Sequence, residues 1–294
     1  MLGYVCKYTP MELFEAMDTE ITRLEPSVTD FNHADTLMHA NICSYTKAVL
    51  EDVMEHDYEG VILTTCCDSI RRLYDTLKSQ FPDKFFFLLD IPRKFNDFAV
   101  ALYERQLKQM LTEYEAFSGK TLDLKRFVSM MQNKAALKKQ ENTRMSASAV
   151  SEKGNGQKLN IGIMGARCNN EIRQLLVDRG ANLLFDLTCT GLARDFSITE
   201  DHVLHSYAAA LLNQIPCMRM LKAANREHFL DGFTDRLDGI IYHTVKFCDS
   251  YSYEYADFRQ RLDLPILLVE TDSTRQCAGQ VRTRVEAFME ELKV

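Results

Sequence analysis

Short apolar runs of four to seven residues alternate along this chain with longer stretches whose apolar positions recur every three or four residues. The runs read as buried strands and the stretches as amphipathic helices. The first clear strand is Gly60-Val-Ile-Leu-Thr-Thr65. A helix is expected from Ser69 through Gln80, with Ile70, Leu73 and Leu77 on one face. Phe85-Phe-Phe-Leu-Leu89 is the next strand and ends at Asp90-Ile-Pro92. A long helix fits Asp97 to Phe117, with Phe98, Leu102, Met110, Tyr114 and Phe117 near one stripe, and Gly119 supplies its stop.

Residues 134–158 lose hydrophobic density and gain Lys, Ser, Gly and Asn, the composition of a linker. Beyond it the pattern resumes. Strands are expected at Leu159-Asn-Ile-Gly-Ile-Met164, Asn182-Leu-Leu-Phe185, Gly239-Ile-Ile-Tyr-His-Thr-Val245 and Ile266-Leu-Leu-Val269, with helices from about Asn169 to Arg179 and from about Ala278 to Leu292. Strands alternating with helices favour parallel α/β layers. The expected organisation is an α/β domain at 1–133, a linker at 134–158 and a second α/β domain at 159–294.

The two halves share a faint echo. Gly60 precedes Cys67-Asp68-Ser69 by seven residues, and Gly239 precedes Cys248-Asp249-Ser250 by nine; each triplet opens a helix that leads to another apolar run. Duplication and coincidence between two βα turns explain this equally well.

Composition narrows the function. Lys and Arg total 35 against 42 Asp and Glu, a formal charge of −7. A broad nucleic-acid surface needs a basic excess to displace counterions from phosphates, and an anionic bilayer needs the same. Neither partner is expected. No apolar run is long enough to cross a bilayer, and the first residues lack the apolar segment of a secretory signal, so the chain reads as cytoplasmic.

Nine cysteines are too few for a disulfide scaffold, and their number is odd. In a reducing compartment they are core residues, metal ligands or nucleophiles. Cys67, Cys168, Cys189 and Cys248 each follow an apolar strand, and in parallel α/β sheets ligands gather outside the carboxyl ends of the strands. Cys67 and Cys248 also precede helices, where Asp68, Ser69, Asp249 and Ser250 can cap free backbone N–H groups and where the helix N-terminus favours a thiolate. No Cys-x-x-Cys pair occurs, which disfavours zinc ribbons, dithiol redox motifs and ferredoxin-type runs. A cluster would therefore be held by cysteines from distant loops. Cys66 and Cys67 are adjacent and point different ways, so Cys67 is the expected ligand and Cys66 a neighbour.

Other motifs fall away. Ser118-Gly119-Lys120-Thr121 lacks the leading Gly of a phosphate loop and follows a helix, so it reads as a helix stop. Gly162-Ile-Met-Gly165 reads as a tight βα turn. The seven His residues form no paired ligand motif, and no Gly-x-Ser-x-Gly elbow occurs.

Several segments together resemble the catalytic subunits of the 2-hydroxyacyl-CoA dehydratase and benzoyl-CoA reductase family, the D-component of 2-hydroxyglutaryl-CoA dehydratase among them. They are Gly3-Tyr-Val-Cys6-Lys-Tyr-Thr-Pro10-Met-Glu12, Asn41-Ile-Cys43-Ser-Tyr, Thr65-Cys-Cys67-Asp68-Ser, Leu89-Asp-Ile-Pro92, Asp186-Leu-Thr-Cys189-Thr-Gly191, Ile215-Pro216-Cys217, Asp238-Gly239 through Lys246-Phe-Cys248-Asp, Leu264-Pro-Ile-Leu-Leu-Val-Glu270-Thr-Asp272 and Gly279 through Phe288. The resemblance implies two Rossmann/flavodoxin-like parallel-sheet domains facing each other across a cluster-binding cleft. It implies a 4Fe–4S cluster on Cys43, Cys67 and Cys248, with Cys66, Asp68, Ser69, Asp249 and Ser250 around it. It implies an ATP-hydrolysing iron–sulfur activator that delivers a low-potential electron, ketyl-radical dehydration of an acyl-CoA, and a dimer with itself or a related subunit.

One branch of that family resembles double-cubane reductases of small substrates. This chain matches its pattern at Cys6, Cys43, Cys67, Cys189, Cys217 and Cys248, which would carry an eight-iron double-cubane cluster. A third reading is a non-catalytic electron-transfer partner that kept the ligands. The chain is shorter than typical members around the linker, and Glu15-Ala-Met-Asp-Thr19 stands where an Ala-Gly pair is usual.

Overall fold

The computed structural model describes residues 1–135, 158–168, 170–190, 198–215, 217–220, 229–275 and 278–293. The expected linker falls largely on 136–157 and so lies outside the described residues. The chain forms two compact units, each assembled from three segments. The first comprises Met1–Arg23, Tyr58–Gln157 and Ala193–Gln214, and the second Leu24–Asp57, Lys158–Leu192 and Ile215–Val294.

The first unit holds a four-stranded parallel sheet of β1 (Leu2–Tyr4), β2 (Ile21–Arg23), β3 (Gly60–Thr64) and β4 (Phe85–Leu89), in the order β2-β1-β3-β4. Every residue of β1 and β3 is buried, which is why these strands carry continuous rather than alternating apolar runs. Its helices are α1 (Met11–Ala16), α4 (Asp68–Gln80), α5 (Asp97–Ser118), α6 (124–135) and α8 (Val203–Leu212). On α4 the buried residues are Ile70, Leu73 and Leu77, the face expected from spacing.

The α5 stripe differs from expectation. Met110 and Tyr114 are buried, but the stripe runs through Ala99, Val100, Tyr103, Leu107 and Leu111, whereas Phe98 is 80% exposed and Phe117 43%. A period of 3.6 from Tyr114 leads back to Tyr103 and Ala99 and leaves Phe98 on the solvent side. Tyr114 is the centre of this packing, with the rings of Phe14 and Phe85 each edge-on at 5.0 Å. Asn96 caps α5 by accepting from the Ala99 amide at 2.8 Å, and Gly119 ends it at φ 71°, a conformation that favours glycine.

The second unit repeats the topology. Strands β5 (Asn160–Gly165), β6 (Asn182–Thr188), β7 (Gly239–Val245) and β8 (Ile266–Thr271) form a parallel sheet in the order β6-β5-β7-β8. Helices α7 (Asn170–Asp178) and α10 (Ala278–Glu291) cover one face, burying Ile172, Leu176, Val281, Val285 and Phe288 against Ile161, Ile163, Ile241 and Val269. Helix α9 (Asp249–Arg261) supplies Tyr255 and Phe258, whose rings pack on Tyr242. Among the described residues the unit also holds α2 (Asn32–Leu37), α3 (Ser44–Glu55) and a short 3-10 helix at Thr234–Arg236. The echoing triplets thus occupy the same place in both sheets, after the third strand in sequence order.

The fold is therefore α/β, with two all-parallel four-stranded sheets of Rossmann/flavodoxin-like order. In each, the connections from the first and third strands leave in opposite directions, which opens a crevice at their carboxyl ends.

Candidate metal centre

The three cysteines expected to hold a cluster share one local setting. Cys43 is the N-cap of α3, Cys67 the N-cap of α4 and Cys248 the N-cap of α9, with the Thr46 and Tyr45 amides directed at the Cys43 sulfur and the Tyr251 amide at the Cys248 sulfur. Asp68 and Asp249 are the first residues inside their helices rather than the caps, so the capping role expected of these triplets passes to the cysteines themselves. Each thiol stands where the helix dipole is positive and unpaired N–H groups converge.

Within the second unit, three thiols gather at the carboxyl edge of the sheet. Cys189 follows β6 directly and Cys248 lies three residues beyond β7. Cys43 reaches the same edge because the Ser44 amide donates to the Lys246 carbonyl at 3.2 Å, which pins the start of α3 to the loop after β7. Burial pushes the Cys248 thiol up to about 11, and a thiolate at Cys43 or Cys189 pushes in the same direction, while the Arg219 guanidinium opposes it. Burial likewise raises Cys43, which is 9% exposed, again with Arg219 opposing. Cys189 Sγ and Tyr251 Oη share a hydrogen bond of 2.7 Å, and Arg219 lies 5.5 Å from the centre of the Tyr251 ring. Cys217 stands two residues before Arg219 and is half-buried.

In the first unit, Cys6 follows β1 while Cys66 and Cys67 follow β3, and these strands are neighbours. All three are half-buried at that sheet's carboxyl edge. The Thr65 hydroxyl beside them donates to Asp90 Oδ1 at 2.6 Å, tying the ends of β3 and β4 together. The Asp68 side chain is exposed.

Cys168 departs from the group. It is fully buried in the core of the second unit, packed with Ile172, Leu176 and Ile163, and burial pushes its thiol up to about 12. After the turn at Gly165, with φ 106°, Cys168 packs into the core and at the same time lines the cleft at this edge. The ninth cysteine, Cys277, lies outside the described residues.

A small cleft opens at the same edge of the second unit, walled by Glu25, Ser27, Tyr45, Arg167, Thr190 and His243 among others. The Arg167 guanidinium lies 4.0 Å from the centre of the Tyr45 ring and donates to the Leu24 carbonyl at 3.3 Å. The Tyr45 hydroxyl donates to the same carbonyl at 2.9 Å. His243, 2% exposed, pairs through Nε2 with Thr271 Oγ1 at 3.0 Å, and burial pushes its pKa down to about 4, so it is neutral at pH 7. Sequence reasoning missed Arg219, Tyr251 and His243. Arg219 stands two residues beyond the noted segment that ends at Cys217, but nothing local marks Tyr251 as a partner of Cys189, 62 residues away.

Among the described residues, no three His, Cys, Asp or Glu side chains are placed to hold one metal ion. The donor set nevertheless suits a polynuclear iron–sulfur cluster. It is made of thiols alone, which are the ligands such clusters take, and iron charge would offset the burial and the thiolate–thiolate repulsion that hold Cys43 and Cys248 protonated. No helix among the described residues is long and apolar enough to cross a membrane.

Comparison with known proteins gives this arrangement a context. The chain is similar to the beta subunit of (R)-phenyllactyl-CoA dehydratase from Clostridium sporogenes, 23% identical over 347 positions covering 99% of this chain and 91% of that protein. The aligned length exceeds the 294 residues here, so the relative carries segments that this chain lacks. The sequence profile of the 2-hydroxyglutaryl-CoA dehydratase D-component family matches residues 6–148 and 127–292, and the chain therefore belongs to that family of dehydratase components.

Proposed function

We propose that the chain is an iron–sulfur component of a 2-hydroxyacyl-CoA dehydratase-type enzyme, with a 4Fe–4S cluster on Cys43, Cys67 and Cys248. The observation that carries this reading is their common placement as helix N-caps. A thiolate there is stabilised by the helix dipole and by backbone N–H groups that hydrogen-bond the sulfur. When bound, such a cluster supplies a Lewis-acidic iron and a single electron at low potential for removing a hydroxyl group from an acyl thioester.

The chain's own residues do the remaining work. Helices α3, α4 and α9 aim the sulfurs, Arg219 offsets negative charge, and the cleft beside Tyr45 and Arg167 offers hydrogen-bonding walls for a small ligand. The proposed partners are an ATP-hydrolysing iron–sulfur activator, an acyl-CoA and a second subunit, either a copy of this chain or a related one. The relative being a beta subunit supports a two-subunit assembly.

The proximity of Cys189 to Cys248 favours a second reading, a double-cubane reductase using Cys6, Cys189 and Cys217 as well. Iron and sulfide analysis of anaerobically purified protein separates the two: about four irons per chain support a single cubane and about eight a double one. Cys43→Ala, Cys67→Ala and Cys248→Ala should each lower the iron content. Full iron in all three variants overturns the ligand assignment. Turnover of an acyl-CoA with activator and ATP distinguishes an enzyme from an electron carrier that kept only the ligands.

A further inference from the structure

Two side chains converge on the thiols of the second unit without being thiols themselves. Tyr251 is the third residue of α9 and is 1% exposed, yet its hydroxyl meets Cys189 Sγ at 2.7 Å. A phenol buried this deeply needs a partner, and a sulfur that becomes a thiolate can only accept, so the tyrosine donates. Arg219 brings a permanent positive charge that acts on both Cys43 and Cys248, and its guanidinium lies 5.5 Å from the Tyr251 ring centre. One hydrogen-bond donor, on helix α9, and one cation, 32 residues earlier in the chain, thus address three sulfurs.

We propose that Tyr251 and Arg219 form a clamp that sets the reduction potential of the iron–sulfur centre bound by the thiols of this unit. The inference rests on the cluster reading above, and its Tyr251 arm on Cys189 serving as a ligand, as in the double-cubane form. Reduction adds negative charge to a cluster and its thiolates. A hydrogen bond to a ligand sulfur and a nearby cation both favour the reduced form and so raise the potential. Both are positioning residues, since they act through the thiols. A hydrogen bond to a charged group is strong enough for a ten-fold change in the ratio of reduced to oxidised cluster.

The test is an anaerobic redox titration, followed by electron paramagnetic resonance, of the wild-type holoprotein and of Tyr251→Phe, Arg219→Gln and Arg219→Lys. Iron content and far-ultraviolet circular dichroism are measured on each. Tyr251→Phe and Arg219→Gln should keep iron and native dichroism yet show about a ten-fold lower reduced-to-oxidised ratio at fixed potential, about 59 mV for one electron. Arg219→Lys, which keeps the charge, should recover most of the Arg219→Gln shift. Unchanged potentials in iron-replete Tyr251→Phe and Arg219→Gln overturn the clamp and leave the cluster reading standing. If Arg219→Gln loses iron, Arg219→Lys should restore it, and failure to do so also overturns the clamp. A wild-type protein that takes up no iron refutes the cluster reading instead.

Discussion

The amide of Ser44 donates to the carbonyl of Lys246, 202 residues further along the chain, and so ties the helix that begins after Cys43 to the loop that ends at Cys248. Ser44 is the first residue of α3, where the helix needs no amide donor, and Cys43 sits at φ −49° and ψ 127°, a conformation compatible with a following proline. Ser44→Pro removes both the amide bond and the 3.5 Å bond of the Ser44 hydroxyl to the same carbonyl, and its ring carbon takes the place of the amide hydrogen that faces the Lys246 oxygen. Urea unfolding should show a loss of roughly 2 kcal/mol or more, and iron retained under a mild chelator should fall with it.

Gly165 stands at φ 106° at the end of β5, and a Cβ there would lie 2.0 Å from the His243 carbonyl oxygen of the neighbouring strand. Backbone cannot yield as a flexible side chain can. Gly165→Ala should destabilise the protein by roughly 3 kcal/mol or more, through left-handed strain plus displacement of β7 from β5. A denaturation midpoint equal to wild type would refute this account of the turn.

His243 makes stability depend on pH. Its folded pKa, lowered to about 4 by burial, lies below the 6.5 of the unfolded chain. Between those values the unfolded state binds the extra proton. Stability is then fully present above about pH 6.5 and falls as pH drops toward 4, by on the order of 3 kcal/mol in all. Urea melts across this window should slope upward with pH in wild type and flatten in His243→Gln.

Ion pairs differ by burial. Arg173 pairs with Asp186 and donates to Thr190 Oγ1 at 2.8 Å, with side chains 19% and 9% exposed in the pair. Arg173→Ala leaves the Asp186 carboxylate uncompensated and should cost about 3 kcal/mol. The Arg126–Asp18 pair is exposed on both sides, and Arg126→Ala should leave the thermal midpoint unchanged. Differential scanning fluorimetry compares the two.

Cys168→Ala is the control for the thiols. The side chain is core, so the variant should keep its full iron content and lose about 1–2 kcal/mol of stability from the small cavity. Iron loss on this substitution would place Cys168 among the ligands.

Much of the fold was legible because buried parallel strands and one-sided helices write themselves into local periodicity. β4 and β7 match their expected spans, and α4, α5 and α10 differ from theirs by a residue at an end. The misses are instructive. β1 and β2 have three residues each, too short to stand out without the neighbours that pair with them. Helix α3, which carries Cys43 at its cap, was hidden because its buried face holds Lys47 and Glu51. Lys47 donates to Asp35 at 2.6 Å, and Glu51 accepts from the Ala34 amide at 2.7 Å, so polar residues fill positions a pattern search expects to be apolar.

The amino-acid order alone determined the alternation of strands and helices, hence the α/β class, and put most of the candidate thiols just beyond strand ends. Only the tertiary structure decided that the helix following Cys43 belongs with the second sheet, that Cys189 meets Tyr251, and that Cys168 turns into the core. The reason is one of range. Periodicity reports which side of an element is buried, over a few residues. Which elements become neighbours is settled by strand pairing and by burial shared among segments up to two hundred residues apart, and no local pattern records it.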